Sequence, residues 1–224
     1  MKSILLQLAT DINKRSTWIH LAIALVIFTV LAIGFAQLLE EVHEGDTMYL
    51  DKIVLQQIGQ SITDSWNRFY SIATRFGGTP FITLATIVLL YVLLWQRWYY
   101  RAVFMVVNVV GAGVATTAIK LLVGRERPSL WERIVEETSY SFPSGHAVGS
   151  MALAISLVVI CWPTRWRWSV VIFSTLYVLI IGYSRLYLGV HYPTDVIGGW
   201  LLALAWAMTS GSLLYGYGRR RRYG

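Results

Sequence analysis

The sequence predicts an all-α integral membrane bundle of six transmembrane helices, with an amphipathic external helical segment between the first two. Three observations predict it. The chain is 56% hydrophobic and 14% charged, where soluble domains carry about 25% charged residues. Its apolar residues fall into runs long enough to cross a bilayer. Its 10 tryptophans and 13 tyrosines gather near the ends of those runs, as at Trp18, Trp95, Trp98, Tyr99, Tyr100, Trp162, Trp166, Trp168 and Tyr215. Such end-weighted aromatics match the belts found at membrane interfaces.

A helix needs roughly 20 apolar residues to cross the hydrocarbon core. Six runs are candidates, at about 18–39, 79–96, 102–123, 147–163, 168–188 and 195–215. The second and fourth are short, so tilt or flanking residues must complete them. The first follows a 17-residue polar head and is longer than the apolar core of a signal peptide, so it reads as a retained span. Residues 40–78 separate the first two spans. There Ile53, Ile58, Ile62, Trp66, Phe69 and Ile72 recur at three- to four-residue steps, which reads as an amphipathic helix or helix pair ended by Gly77-Gly78. That segment either lies on the outer surface and helps admit a lipid, or caps the bundle. With no internal repeat or linker, residues 1–224 read as one membrane domain. The single cysteine, Cys161, excludes an intramolecular disulfide, and no Cys/His spacing suggests zinc.

Basic residues orient the bundle. Six spans put both termini on one side. That side carries Lys2, Lys14, Arg15, Arg97, Arg101, Arg165, Arg167 and Arg219 to Arg222, against one acid, Asp11. The other side holds seven basic and eleven acidic residues, with Lys120 set apart near a span end. Lysine and arginine favour the cytoplasmic face, so both termini are expected there. The "GRRRRYG" tail then reads as an anchor at anionic headgroups rather than a nucleic-acid patch. The partners expected are membrane lipids, with no nucleic acid.

Three polar clusters interrupt the apolar pattern. "KLLVGRERP" runs from Lys120 to Pro128 at the exit of the third span. "PSGH" opens the fourth. "SRLYLGVHYPTD" runs from Ser184 to Asp195 between the fifth and sixth. The orientation places all three on the non-cytoplasmic face, where they can share a pocket. Charges at a membrane border are costly and usually functional. Lys120, Arg127 and Arg185 supply three cations. Ser144 and Gly145 sit at the expected N-terminus of the fourth helix, a natural anion site. Arginine can hold two phosphate oxygens at once. His146, His191 and Asp195 add the parts of phosphoryl transfer. One imidazole can attack phosphorus while a carboxylate fixes its tautomer, and the pair His191 and Asp195 suits that role. His146 suits the acid that protonates the leaving oxygen.

These residues resemble a known family. Lys120-x6-Arg127-Pro128, Pro143-Ser144-Gly145-His146 and Ser184-Arg185-x5-His191-x3-Asp195 are similar to the three signatures of the type 2 phosphatidic acid phosphatase (PAP2) superfamily, in the same order. The motif region spans 120–195. The resemblance implies a lipid phosphatase that needs no metal or other cofactor and works through a phosphohistidine. By matching position, His191 is the nucleophile, Asp195 its partner and His146 the acid; Lys120, Arg127, Ser144, Gly145 and Arg185 bind phosphate. The expected substrate is a lipid phosphomonoester or pyrophosphate, such as phosphatidylglycerophosphate, phosphatidic acid or undecaprenyl pyrophosphate. The expected place is the outer face of the plasma (inner) membrane. A phosphotransferase using the same intermediate, and a non-catalytic lipid-phosphate binder or transporter, are the alternatives.

Other readings weigh less. Two histidines and a carboxylate can hold a metal, but three nearby cations would repel it. Lys120 alone could snorkel to the interface, and Arg127 or Arg185 alone could pair with acids such as Glu126 or Glu132. Arg125 and Arg133 match no motif position and read as solvated; His20 and His43 read as interfacial or solvated, with the acidic cluster near His43 alternatively touching a headgroup or binding a cation weakly. The small residues of "GAGVATTA" at 111–118, and Gly198-Gly199, read as sites of close helix packing.

Overall fold

The computed structural model describes the backbone of residues 2–131, 135 and 137–223, and the side chains of 19, 22–131, 135 and 137–212. The expectations that rest on Lys2, Asp11, Lys14, Arg15, Trp18, His20, Glu132, Arg133, Tyr215 and Arg219 to Arg222 therefore lie outside the described side chains. Among the described residues the chain is all-helical, with no strand. Helix α1 spans Lys2–Glu44, α2 Met48–Gly59, α3 Asp64–Ala73, α4 Thr79–Trp95, α5 Tyr99–Val123, α6 Gly145–Cys161, α7 Arg167–Tyr187 and α8 Pro193–Tyr223. The expected spans fall on α1 and α4 to α8, with ends shifted by a few residues. The exceptions are α1, whose backbone helix also takes in the expected polar head, and α8, which continues to Tyr223.

Breaks fall where backbone chemistry puts them. Gly124 ends α5 in the left-handed conformation at φ 63°, a position that favours glycine because it lacks a Cβ. Ser144 caps α6 and accepts from the backbone N–H of Ala147 at 3.5 Å. The segment expected between the first two spans divides in two. Helices α2 and α3 are separate, and α3 runs through a 3₁₀ turn at Thr74–Gly77 into α4 with a 46° bend. Gly78 is extended there, and Pro80 restarts the helix in its first turn.

Helix α6 lies at the centre, packed on α4, α5, α7 and α8, while α1 packs on α8. Val148 and Ala152 of α6 meet Ala112 of α5 and Ala203 of α8 in the core. Close approach is legible at Gly111, where an added Cβ would lie 2.3 Å from the Trp206 ring, and at Gly199, where it would lie 3.0 Å from Ser144 O. Gly113 has no neighbour to pack against. Asn108 of α5 donates to Ala152 O at 2.9 Å and to Ser156 Oγ at 3.1 Å, and Trp206 of α8 donates to Val107 O at 3.0 Å. These bonds satisfy polar groups that apolar surroundings would otherwise penalise.

Among the described residues, three stretches are long and apolar enough to cross a membrane: Ala22–Glu44, Tyr99–Val123 and Arg167–Tyr187. The bent pair Asp64–Gly77 and Thr79–Trp95 passes the same test jointly, and α6 is apolar but shorter. The most apolar window of the first stretch buries none of its length inside the protein. Leu122 of α5 is 80% exposed and Phe173 of α7 71%. Apolar surface of this extent suits lipid rather than water. Trp95, Trp98, Tyr99 and Tyr100 surround the α4–α5 turn, and Trp162, Trp166 and Trp168 the α6–α7 turn. Arg101 Nη1 donates to Ile160 O at 3.3 Å, so these two turns share one end of the bundle.

Candidate active site

The opposite end gathers the three polar clusters. Helix α7 stops at Tyr187, and the turn after it returns the backbone N–H groups of Val190 and His191 to Arg185 O at 3.2 and 3.3 Å. His191 is thereby fixed one turn before Asp195, which lies in the first turn of α8. The entry to α6 is tied to the same point, since Ser144 N donates to Asp195 O at 3.0 Å.

His191 is 1% exposed and Asp195 wholly buried. His191 Nδ1 lies 3.3 Å from Asp195 Oδ2, and Nε2 lies 3.1 Å from Arg127 Nη1. A carboxylate can only accept, so the Nδ1 proton belongs to the Asp195 contact. The lone pair is then on Nε2, facing the arginine. Burial is the main cause that lowers the His191 pKa from its ordinary 6.5 to about 3; Asp195 opposes the shift, and Arg185 and Arg127 reinforce it. The imidazole is therefore neutral at physiological pH.

Arg127 is held in place from several sides. Its Nε donates to Ser139 O at 2.7 Å and its Nη1 to Val190 O at 2.8 Å. Arg185 is 1% exposed. It donates from Nη1 to Thr74 Oγ1 at 2.7 Å and pairs through Nη2 with Glu137. Its buried Nε has no hydrogen-bond partner among the described residues. Lys120 Nζ donates to the Tyr140 carbonyl. A cleft of about 710 Å³ opens here, bordered by Thr117, Lys120, Arg125, Arg127, Glu137 and Tyr140 among others.

His146 lies in the first turn of α6 and is half-buried. The charges of Arg185, Arg127 and Lys120 all act on it, as does His191. Its ring sits against the Gly77-Gly78 backbone: a Cβ built on Gly77 would meet His146 Cδ2 at 3.2 Å, and one on Gly78 would meet Nε2 at 3.5 Å. Ser144 is buried and its hydroxyl serves as the helix cap, while Gly145 is exposed with open space around it. Among the described residues no three His, Cys, Asp or Glu side chains are grouped to hold a metal ion.

One expectation is overturned. Arg125 is not solvated: it is 7% exposed and bridges Asp195 Oδ1 at 2.7 Å and Asp51 Oδ2 at 2.6 Å. Burial alone would lower its pKa, but the two carboxylates raise it instead. The sequence reading failed because the partners come from α2 and α8, and no local pattern announces them. The acid that pairs with Arg127 and Arg185 is likewise Glu137, 3.6 Å from Arg127 Nη2, rather than Glu126. Ser141, Thr194 and Thr74 are further contributors that no motif identified. Ser141 Oγ donates to Asp195 Oδ2 at 2.5 Å.

A helical bundle with long apolar helices, and with cationic and imidazole side chains gathered at one end, defines a membrane-protein class. Residues 98–218, more than half the chain, match the PAP2 superfamily, and the chain belongs to that family. An undecaprenyl-diphosphatase of Sulfolobus acidocaldarius is 43% identical over 65 residues, covering 29% of this chain and 29% of that protein. A lipid A 4'-phosphatase of Bacteroides thetaiotaomicron is 39% identical over 101 residues, covering 37% of this chain and 43% of that protein. The chain thus spans less than half the length of either relative in the match. The crystal structure of a transmembrane PAP2-type phosphatidylglycerolphosphate phosphatase from Bacillus subtilis superposes with a TM-score of 0.76 at 22% identity, covering 86% of this chain and 96% of that one. The two share a fold.

Proposed function

We propose that this chain is a membrane lipid phosphatase that hydrolyses a lipid phosphomonoester or pyrophosphate through a phosphohistidine. One observation carries the reading: the buried imidazole of His191, with Asp195 on Nδ1 and Arg127 against Nε2. An oxygen of phosphate bound to Arg127 would place phosphorus beside the nitrogen that attacks.

The reaction follows from these roles. The Nε2 lone pair of His191 forms a bond to phosphorus while the bond to the lipid oxygen breaks. Asp195 holds the Nδ1 proton and balances the charge that develops on the ring. His146 gives its proton to the departing oxygen. It then takes a proton from a water molecule that attacks the phosphohistidine, and orthophosphate leaves with His191 restored. Arg127, Arg185 and Lys120 stabilise the equatorial oxygens, and the unpartnered Nε of Arg185 is a donor suited to one of them. The α6 N-terminus at Ser144-Gly145 adds its dipole, and exposed Gly145 leaves room for the ligand. No step calls for a metal.

The whole chain serves as one domain of six spans, with α2 and α3 at the outer surface beside the pocket. Both termini are cytoplasmic, and the pocket faces the exterior of the plasma membrane. Phosphatidylglycerophosphate and undecaprenyl pyrophosphate are the substrates that relatives make most natural, since proteins of both kinds are similar to this chain.

The test is phosphate release by the purified protein in detergent, with EDTA present, across a panel of lipid phosphates and pyrophosphates. One or more substrates should be hydrolysed, and His191→Ala should lose that turnover by at least about a thousandfold while remaining folded. Full activity in His191→Ala, or loss of wild-type activity in EDTA, would overturn the proposal.

A further inference from the structure

We propose that Arg125, itself held by Asp51, is the positioning residue that fixes Asp195 and, through it, the His191 imidazole. The inference rests on the phosphatase reading for its kinetic meaning, but its geometry stands apart from it. Asp195 has two carboxylate oxygens with different duties. Oδ2 accepts from Tyr192 N at 2.8 Å and Ser141 Oγ at 2.5 Å and faces His191 Nδ1 at 3.3 Å. Oδ1 accepts from Arg125 Nη1 at 2.7 Å. Without that second hold the carboxylate could rotate about its terminal torsion, which is soft.

Arg125 is in turn held through both of its amino groups, while its buried Nε has no hydrogen-bond partner among the described residues. Its Nη1 also donates to Thr194 Oγ1 at 2.8 Å, and its Nη2 donates to Asp51 Oδ2 at 2.6 Å and Thr47 Oγ1 at 3.3 Å. Its guanidinium lies 4.3 Å from the centre of the Tyr192 ring. Asp51 reaches the same turn directly, accepting from Thr194 N at 3.1 Å and Thr194 Oγ1 at 2.5 Å. The Arg125 carbonyl accepts from Ser141 N at 2.8 Å, which sets the hydroxyl that bonds to Asp195. So Tyr192, Thr194 and Asp195 all touch one planar cation, and Thr194 also bonds to the acid behind it. A planar guanidinium can bridge two carboxylates, whereas the single ammonium of lysine cannot reproduce its fork. Both amino groups of Arg125 are engaged by protein groups, and it meets the Asp195 oxygen that does not face His191, although its side chain borders the same cleft as Lys120 and Arg127. Its role is to place the pair rather than to touch phosphate.

The charge matters as well as the shape. Lys120 of α5, Arg127 and Glu137 of the α5–α6 connection, His146 of α6, Arg185 of α7 and Asp195 of α8 are the charged or titratable groups around His191. Arg125 touches the far oxygen of Asp195, and Asp51 touches Arg125. Removing Arg125 leaves Asp195 without its cation, so the carboxylate's full field would favour protonated His191. A protonated imidazole has no lone pair on Nε2.

The experiment follows the full-length protein in detergent micelles with ¹⁵N-labelled histidine, the His191 signals being identified by their loss in His191→Ala. Arg125→Gln should raise the His191 titration midpoint by about one pH unit or more. The acid limb of kcat/KM for lipid phosphate should move the same way. Arg125→Lys, which keeps the charge but not the fork, should fold, lower kcat about tenfold or more and leave KM near the wild-type value. An unmoved His191 midpoint in Arg125→Gln overturns the inference. Should that variant fail to fold, a folded Arg125→Lys protein with wild-type kcat overturns it instead. The titration does not depend on turnover. A shifted midpoint in a protein inert toward every lipid phosphate would sink the phosphatase reading and keep this one; an active wild type with an unshifted variant would do the reverse.

Discussion

At the scale of single residues, Glu137 is the informative surprise. Its carboxylate pairs with Arg185 and lies 3.6 Å from Arg127, the two arginines proposed to take phosphate. On the proposed reading, this internal anion stands where the ligand's charge would, and an entering phosphate competes with it. The neutral variant Glu137→Gln should therefore bind inorganic phosphate more tightly. Its inhibition constant as a competitive product should fall roughly fivefold, the equivalent of about 1 kcal/mol. An unchanged or weaker inhibition by phosphate would show that Glu137 does not compete. The motifs made Arg127 and Arg185 legible, because a costly charge at a span end calls for a reason. Glu137 was illegible: it is one acid among several in an irregular stretch, and only the path of residues 124–144 brings it to the arginines.

At the scale of elements, the bend between α3 and α4 does more than end a helix. The 3₁₀ turn brings Thr74 to Arg185 and presents the bare Gly77-Gly78 backbone to His146. A methyl group at Gly77 would fall 2.4 Å from Ile181 Cγ2 and 3.2 Å from His146 Cδ2. Gly77→Ala should cost about 1–3 kcal/mol of stability by overpacking and lower kcat by moving the imidazole. Gly113→Ala, with no atom within 4 Å of the added carbon, should instead be neutral or stabilising by up to about 1 kcal/mol. Thermal unfolding and turnover of the two variants compare them directly, and equal effects would refute the packing argument. The sequence announced a break at Gly77-Gly78 because paired glycines and Pro80 punctuate helices. It could not announce that the break is a wall of the site, since that depends on α6 lying against it.

At the scale of the whole molecule, the pocket and the aromatic turns occupy opposite ends of the bundle. Arg97, Arg101, Arg165 and Arg167 cluster with the tryptophans, and Asp51, Glu137 and Asp195 lie at the pocket end. That segregation supports a cytoplasmic aromatic end and an external pocket. In a Cys161→Ser background, a cysteine introduced at Ser61 should react with a membrane-impermeant thiol reagent on intact cells. One introduced at Gln96 should react only after lysis. The reverse pattern would invert the proposed topology.

The sequence by itself determined the helical class, roughly where the apolar helices lie, and the three clusters that meet at one end. Each follows from local information: run length, composition, capping residues and the cost of charge in an apolar run. Tertiary structure alone decided that Arg125 is buried between two acids, that Asp51 reaches Thr194 across 143 positions of chain, and that Glu137 lies on Arg127 and Arg185. The physical reason is that a charged side chain's partner is set by which segments pack together. Nothing within a few residues of Arg125 distinguishes a guanidinium bound for water from one bound for a buried carboxylate.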